Sequence, residues 1–306
     1  PDNSGGWYIG GSFTKVGGVT QSYAAHILSN GTLDTSWNPT INSWVYSMDF
    51  DGTNIYIGGM FGQINGEART RLAAIGTDAS LKSWSPNANN VPYALKVSGS
   101  TVYVGGDFTT IGATTRNYIA AIGTDGSLAA LDPNLNSTVY DIAVSGANVY
   151  FVGAFTTVGG ITRNRVAAVA TDGTLQSWDP NANLTVRAIW ISGTNVYLGG
   201  NFTFIGSTQR TRVALIDTSG NLQSFNPAPS NQVNDIVITN SKIYIAGTFT
   251  SISSQNQKYI AAYDSGGTYQ SSWTPILNST VSTIAGNSDN SAVYAGGAFN
   301  MAGGTT

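Results

Sequence analysis

Six residues change their chemistry where the rest of the chain repeats itself: Tyr46, Tyr93, Tyr140, Arg187, Asn234 and Ser282, spaced 47 or 48 residues apart. Each falls just inside a short β-branched run. Phenols, a guanidinium and an amide can stack on a ligand, hydrogen-bond to it or balance its charge. They do not form the acid/base pair that a hydrolysis needs. Tyr46, Tyr93, Tyr140, Arg187 and Asn234 are therefore the candidate ligand-binding residues, with plain solvent-facing variation as the alternative.

The other reactive side chains fall into the phase of the repeat. Arg69, Arg116, Arg163 and Arg210 form one column, and Arg71, Arg165 and Arg212 a second, with Gln21 and Gln257 replacing the first set at the ends. Arginine recurring in step with a fold is expected to clamp backbone carbonyls or an aspartate while its stem covers apolar surface; a ring for anions is the alternative. Asp78, Asp125 and Asp172 fall in hairpin turns, and Asp132 and Asp179 at strand endings. Asp49 and Asp51 before Gly52 faintly resemble a calcium loop without its remaining ligands. His26, the sole histidine, stands in a column otherwise held by Ala74, Ala121 and Ala168, and reads as drift of the repeat rather than as a general base. Glu67 is the only glutamate, and cysteine is absent. No catalytic, metal or cofactor-binding residue is assigned, and no cofactor is expected.

The elements that position these residues are organised around Val102-Tyr103-Val104-Gly105-Gly106-Asp107-Phe108. Its final aromatic recurs at Phe13, Phe61, Phe108, Phe155, Phe202, Phe249 and Phe299, with gaps of 48, 47, 47, 47, 47 and 50 residues. A period of about 40 to 50 residues made of short strands points to propeller blades. Each unit shows four strand signals. The first is exemplified by Val139-Tyr140-Asp141-Ile142, the second by Val102-Tyr103-Val104, and the third by Tyr118-Ile119-Ala120-Ala121-Ile122. The fourth ends in Trp37-Asn38-Pro39, Trp84-Ser85-Pro86, Leu131-Asp132-Pro133, Trp178-Asp179-Pro180, Phe225-Asn226-Pro227 or Trp273-Thr274-Pro275, where proline suits an edge. That aromatic column is expected over the blade rim, with sugar stacking as a minority reading. The second strands are apolar on both faces, as a blade packed between two neighbours requires. Paired glycines such as Gly105-Gly106 mark close backbone approach rather than a phosphate cradle, since no helix follows.

The prediction is an all-β propeller of four-stranded antiparallel blades, seven in number because seven second strands occur, with six as the alternative. Residues 1–306 form one domain with incomplete repeats at both ends. Asp2-Asn3-Ser4-Gly5-Gly6-Trp7-Tyr8 resembles Asp289-Asn290-Ser291-Ala292-Val293-Tyr294. The open edge at Val293 to Phe299 is expected to pair with flanking sequence of a longer chain or with another subunit.

Charged residues make up only 9% of the chain against 41% hydrophobic, with 37 glycines and a net charge of -3. Strand signals and apolar content argue against disorder. The lack of a basic cluster argues against nucleic acid, and no apolar run is long enough for a membrane-spanning helix. A charge-poor, cysteine-free repeat rich in Asn, Thr and Ser fits a secreted or surface protein of bacteria.

The phrases GGWYIGGSFTKVGG, VYVGGDFTTIGATTRNYIAAIGTDGSL and WDPNANLTVRAIWISGTNVYLGGNF resemble the bacterial delta-60 type β-propeller repeats of large secreted or surface proteins. The resemblance spans essentially the whole chain and implies no catalytic residues. Where that family often has Ala-Arg-Leu in the third strand, this chain has Ala-Ala-Ile. The expected function is a non-enzymatic extracellular or cell-surface scaffold, adhesion or assembly module, its partners other subunits or flanking domains. A lectin-like propeller taking glycans is the first alternative and a polysaccharide hydrolase or lyase the second.

Overall fold

The computed structural model describes residues 1–287 and 292–303, so the Asp289-Asn290-Ser291 turn lies outside the described residues. No helix occurs among those described. The chain divides into two compact units, one of residues 1–149, 157–161 and 169–175, the other of residues 150–156, 162–168 and the chain from Gln176 onward.

In the first unit Trp7–Gly10 pairs with Ala24–Ile27, and two sheets of three antiparallel strands follow. Their orders are Val45–Phe50, Asn54–Gly59, Leu72–Gly76, and Pro92–Ser98, Thr101–Gly106, Ile119–Gly123. The second unit repeats this with Val186–Ser192, Asn195–Gly200, Val213–Asp217, then Val233–Thr239, Lys242–Gly247, Ile260–Asp264, and a final pair, Val281–Gly286 with Val293–Gly297. Val139–Ser145, Asn148–Gly153 and Val166–Ala170 form a sheet of the same order.

The middle strands are apolar on both faces because both are covered. Ile57, Val104, Leu198 and Ile245 have no exposed surface. One core cluster joins Tyr56, Leu72 and Ala74 of one repeat to Leu95, Val102 and Val104 of the next, so small alanines make room for bulky neighbours across the gap between sheets. The paired glycines do two different jobs. A Cβ on Gly105 would meet Val139 of the following repeat's first strand, whereas one on Gly106 would overlap the Val91 carbonyl and Pro92 Cα of its own sheet.

The expectation of four strands per sheet is corrected. After the third strand the chain turns at Ala79, Gly126 or Gly173, all with positive φ, and the turn aspartate caps it, as in Ser127 N–H to Asp125 at 2.9 Å. The outer segment then makes only a single bridge, Ile75 to Leu81, Ile122 to Leu128 or Ile216 to Leu222. Beyond the bridge, the next carbonyl is taken by an arginine in four repeats: Arg69 Nη2 binds the Lys82 carbonyl at 3.1 Å, and Arg116, Arg163 and Arg210 do the same to Ala129, Gln176 and Gln223. Where Gln21 and Gln257 replace the arginine the outer segment is equally short, with the single bridges Ile27 to Leu33 and Tyr263 to Tyr269. Between second and third strands the structure adds two-residue hairpins such as Thr110–Ile111 with Thr114–Thr115. Ile111 is buried there and bridges to Ala88.

Candidate functional site

The variable column owes its position to a β-bulge. In the sheet register Val45 faces Gly59 while Ser47 faces Gly58, which leaves Tyr46 as the extra residue of its strand. Tyr93, Arg187, Asn234 and Ser282 are the extra residues of theirs. A bulge re-aims the side chain it inserts. The conformation also explains the second glycine, since the backbone just before the bulge is what presses on Gly59, Gly106, Gly200 and Gly247.

In the first unit the column becomes a continuous aromatic row. Tyr46 and Tyr93 meet edge to face with centroids 5.5 Å apart, and Tyr93 and Tyr140 tilt together at 5.7 Å. Trp44 extends the row at 6.2 Å from Tyr46. Trp44, Tyr46 and the neighbouring Met60 remain 45%, 43% and 49% exposed. The Tyr46 hydroxyl donates to Met60 Sδ at 3.4 Å and the Tyr93 hydroxyl to Asp107 Oδ2 at 3.3 Å, while Thr138 Oγ1 donates to Asp107 Oδ1. Burial, together with the charge and hydrogen bond of Asp107, pushes the Tyr93 phenol up to about 12.

Arg187 and Asn234 stand in the second unit. Asn234 is engaged locally: its amide donates to the Val281 carbonyl at 2.8 Å and accepts from Gln232 at 2.5 Å. Trp44, Met60, Asp107 and Thr138 were missed at the level of sequence. A signal existed for two of them, since the residue after the paired glycines is as variable as the bulge column. Their backbones adjoin: Met60 N–H donates to the Trp44 carbonyl and Asp107 N–H to that of Val91, each at 2.8 Å.

The arginine columns act as clamps. The first set holds its own preceding carbonyl as well as the outer-segment carbonyl, and Arg116 and Arg163 also approach Asp132 and Asp179 at 3.7 and 3.6 Å. Arg71 and Arg212 bind the carbonyls of Ala88 and Pro229. Gln21 and Gln257 stand in for arginine by donating to two carbonyls apiece. The resemblance of Asp49 and Asp51 to a calcium loop is explained by other bonds. Asp51 caps the turn by accepting from Thr53 and Asn54 N–H and from the Tyr56 hydroxyl. Asp49 accepts from Val97 N–H of the next first strand at 2.7 Å and pairs with Lys96 at 3.1 Å.

His26 is more than drift of the repeat. Its Nδ1 lies 2.9 Å from Asp34 and its Nε2 3.0 Å from Asp2, and it stacks on Tyr8 at 4.4 Å. The Ser36 hydroxyl, then His26, hold Asp34 down at about 2. No group of three or more potential metal-binding side chains occurs among the described residues.

Three tryptophans of the outer column, Trp37, Trp84 and Trp178, are buried, and the fourth, Trp273, is half-buried. Trp37 and Trp84 are 1% and 4% exposed. Their indole N–H groups bind the carbonyls of Gly76 and Gly123, 39 residues on, and Trp178 binds that of Asp217. Each ring thus fastens one repeat to the next.

Comparison with known proteins supports this architecture. The family described as a domain of unknown function (DUF5122) beta-propeller matches residues 3–36, 101–128 and 239–268. No curated protein sequence matches the chain. Among solved structures, the WD40 β-propeller domain of Doa1 aligns with a TM-score of 0.60 at 13% identity, covering 89% of this chain and 84% of that one. The computationally designed Ika8 protein aligns at 0.57 and 13% identity, with 89% of each chain covered. A chain described as the extracellular domain of a one-component system from B. thetaiotaomicron aligns at 0.56 and 12% identity, covering 83% of this chain and 32% of that one. The chain is an all-β protein of propeller-like fold, similar in part to a propeller family of unknown function.

Proposed function

We propose that the chain is a non-enzymatic interaction module, a scaffold or adhesion propeller of the secreted or cell-surface kind, built from repeats of the delta-60 type. The observation that carries this is the row Trp44, Tyr46, Tyr93 and Tyr140 with Met60, in which Tyr46 and Tyr93 are set by β-bulges. Exposed aromatic and methionine side chains on a rigid support are what protein interfaces use as anchors. Elsewhere the arginines and most of the aspartates are consumed by carbonyls, turns and strand-to-strand bonds, which fits a scaffold better than a catalyst. We read the seven second strands as seven blades, five of them three-stranded sheets with a one-bridge outer segment and the first and last two-stranded pairs among the described residues. The partner is another protein subunit or domain.

The test is cross-linking and affinity enrichment from the native source with wild type and with a Trp44→Ser/Tyr46→Ser/Tyr93→Ser variant of equal helix-free circular dichroism. A partner retained by wild type and lost with the variant is expected. Equal recovery by both would place the interaction surface elsewhere.

A further inference from the structure

We infer that the second unit carries a binding site for a neutral saccharide at Phe225. The recess there has a volume of about 440 Å³ and is lined by Asn195, Gln223, Phe225, Asn226, Ser253 and Tyr263, among others, with no charged side chain. That size suits a small ligand.

The recess arises where one repeat departs from the others at several positions at once. Phe225 occupies the column of Trp37, Trp84 and Trp178, whose indoles fill the space against the next repeat and donate to its third-strand carbonyl. Phenylalanine is smaller and has no N–H to donate. Leu131, also shorter than tryptophan, is only 1% exposed, whereas Phe225 is half-buried, although the following turn approaches both, at Gly173 and at Gly267. At Phe225 two further changes line the opening. Tyr263 replaces the aliphatic residue of Ile75, Ile122 and Ile216, and Ser253 stands where Gly112, Gly159 and Gly206 stand. Ser253 keeps the left-handed backbone of those glycines, with φ 48°. A serine tolerates that conformation at a cost, and here its hydroxyl lies 2.9 Å from the Tyr263 hydroxyl and donates to the Pro227 carbonyl at 3.2 Å.

The lining selects the ligand class. An ion would lose hydration with no counter-charge in the recess, and a purely apolar ligand would strip water from amide groups such as that of the exposed Asn226. A saccharide meets both demands, with hydroxyls for Asn195, Gln223 and Asn226 and a C–H face for the half-buried Phe225 ring. That ring is braced edge to face by Tyr263 at 5.4 Å.

The experiment titrates the protein with maltose, cellobiose, lactose and N,N′-diacetylchitobiose by calorimetry and saturation-transfer NMR, with glucose 6-phosphate and glucosamine as charged controls. Phe225→Trp and Ser253→Gly restore the residues of sibling repeats and so preserve the fold. At least one neutral disaccharide is expected to bind wild type, and its affinity to fall roughly tenfold or more in Phe225→Trp. Ser253→Gly is expected to weaken the same sugar. No binding by any neutral probe, equal affinity in Phe225→Trp, or preference for a charged control would overturn the inference. The triple variant at Trp44, Tyr46 and Tyr93 should bind the sugar normally, which separates this site from the proposed interaction surface.

Discussion

Two ionisable side chains, Arg116 and Asp235, are set in backbone hydrogen bonds with different consequences. Arg116 spans the carbonyls of Thr115 and Ala129 with its two terminal nitrogens, and only a planar fork reaches both. Arg116→Ala should cost about 1–2 kcal/mol, and Arg116→Lys should recover less than half of the loss in thermal denaturation. Asp235 accepts from Ile284 N–H, the Thr283 hydroxyl and Ile236 N–H, yet burial outweighs those bonds and pushes its carboxyl from 3.8 up to about 6. With the folded value raised above the unfolded one, the folded state holds a proton that the unfolded state releases. The stabilising contribution is complete below about pH 4 and is lost as pH rises through about 6. Relative to Asp235→Asn, wild type should lose at least about 1 kcal/mol between pH 4 and pH 7 in urea unfolding. A gain over that range would contradict the assignment.

At the scale of the element, the strand ends depend on how closely backbone approaches backbone. Gly106→Ala places a methyl group against the Val91 carbonyl and Pro92 Cα, atoms that cannot swing aside, and should destabilise by about 2–3 kcal/mol. Gly99 also has positive φ but open space around its Cβ position, so Gly99→Ala should cost only about 1 kcal/mol. Chemical denaturation of the two variants checks the order. Trp84→Phe should lose the bond to Gly123 and about 1–2 kcal/mol with it, and it should open a recess like that at Phe225, detectable by crystallography.

Over the whole molecule, charge contributes little. With 9% charged residues and arginines aimed mainly at carbonyls, stability rests on packed strands and neutral hydrogen bonds. Raising sodium chloride from about 50 mM to about 500 mM should move the melting temperature by no more than about 2 °C. A larger fall would show that exposed ion pairs such as Lys82 with Asp78 matter more than their exposure suggests.

The sequence alone established the repeat, the two-faced apolar middle strand, the glycine pair and the clamp role of the arginines, because each is a local demand repeated in phase. A buried strand must be apolar at every position, and a guanidinium recurring every 47 residues must meet the same backbone in every repeat. The tertiary structure decided what depends on register and on neighbours distant in sequence. That Tyr46 and Tyr93 are bulge residues follows only from which residues they skip across the ladder. His26 finds Asp2 24 residues away, the fourth strand shrinks to a single bridge in every repeat where it is described, and the space at Phe225 is framed by Tyr263, Ser253 and the next repeat's turn. A single substitution in a column reads as drift in one dimension. It becomes a site when folding brings several such substitutions to the same few ångströms.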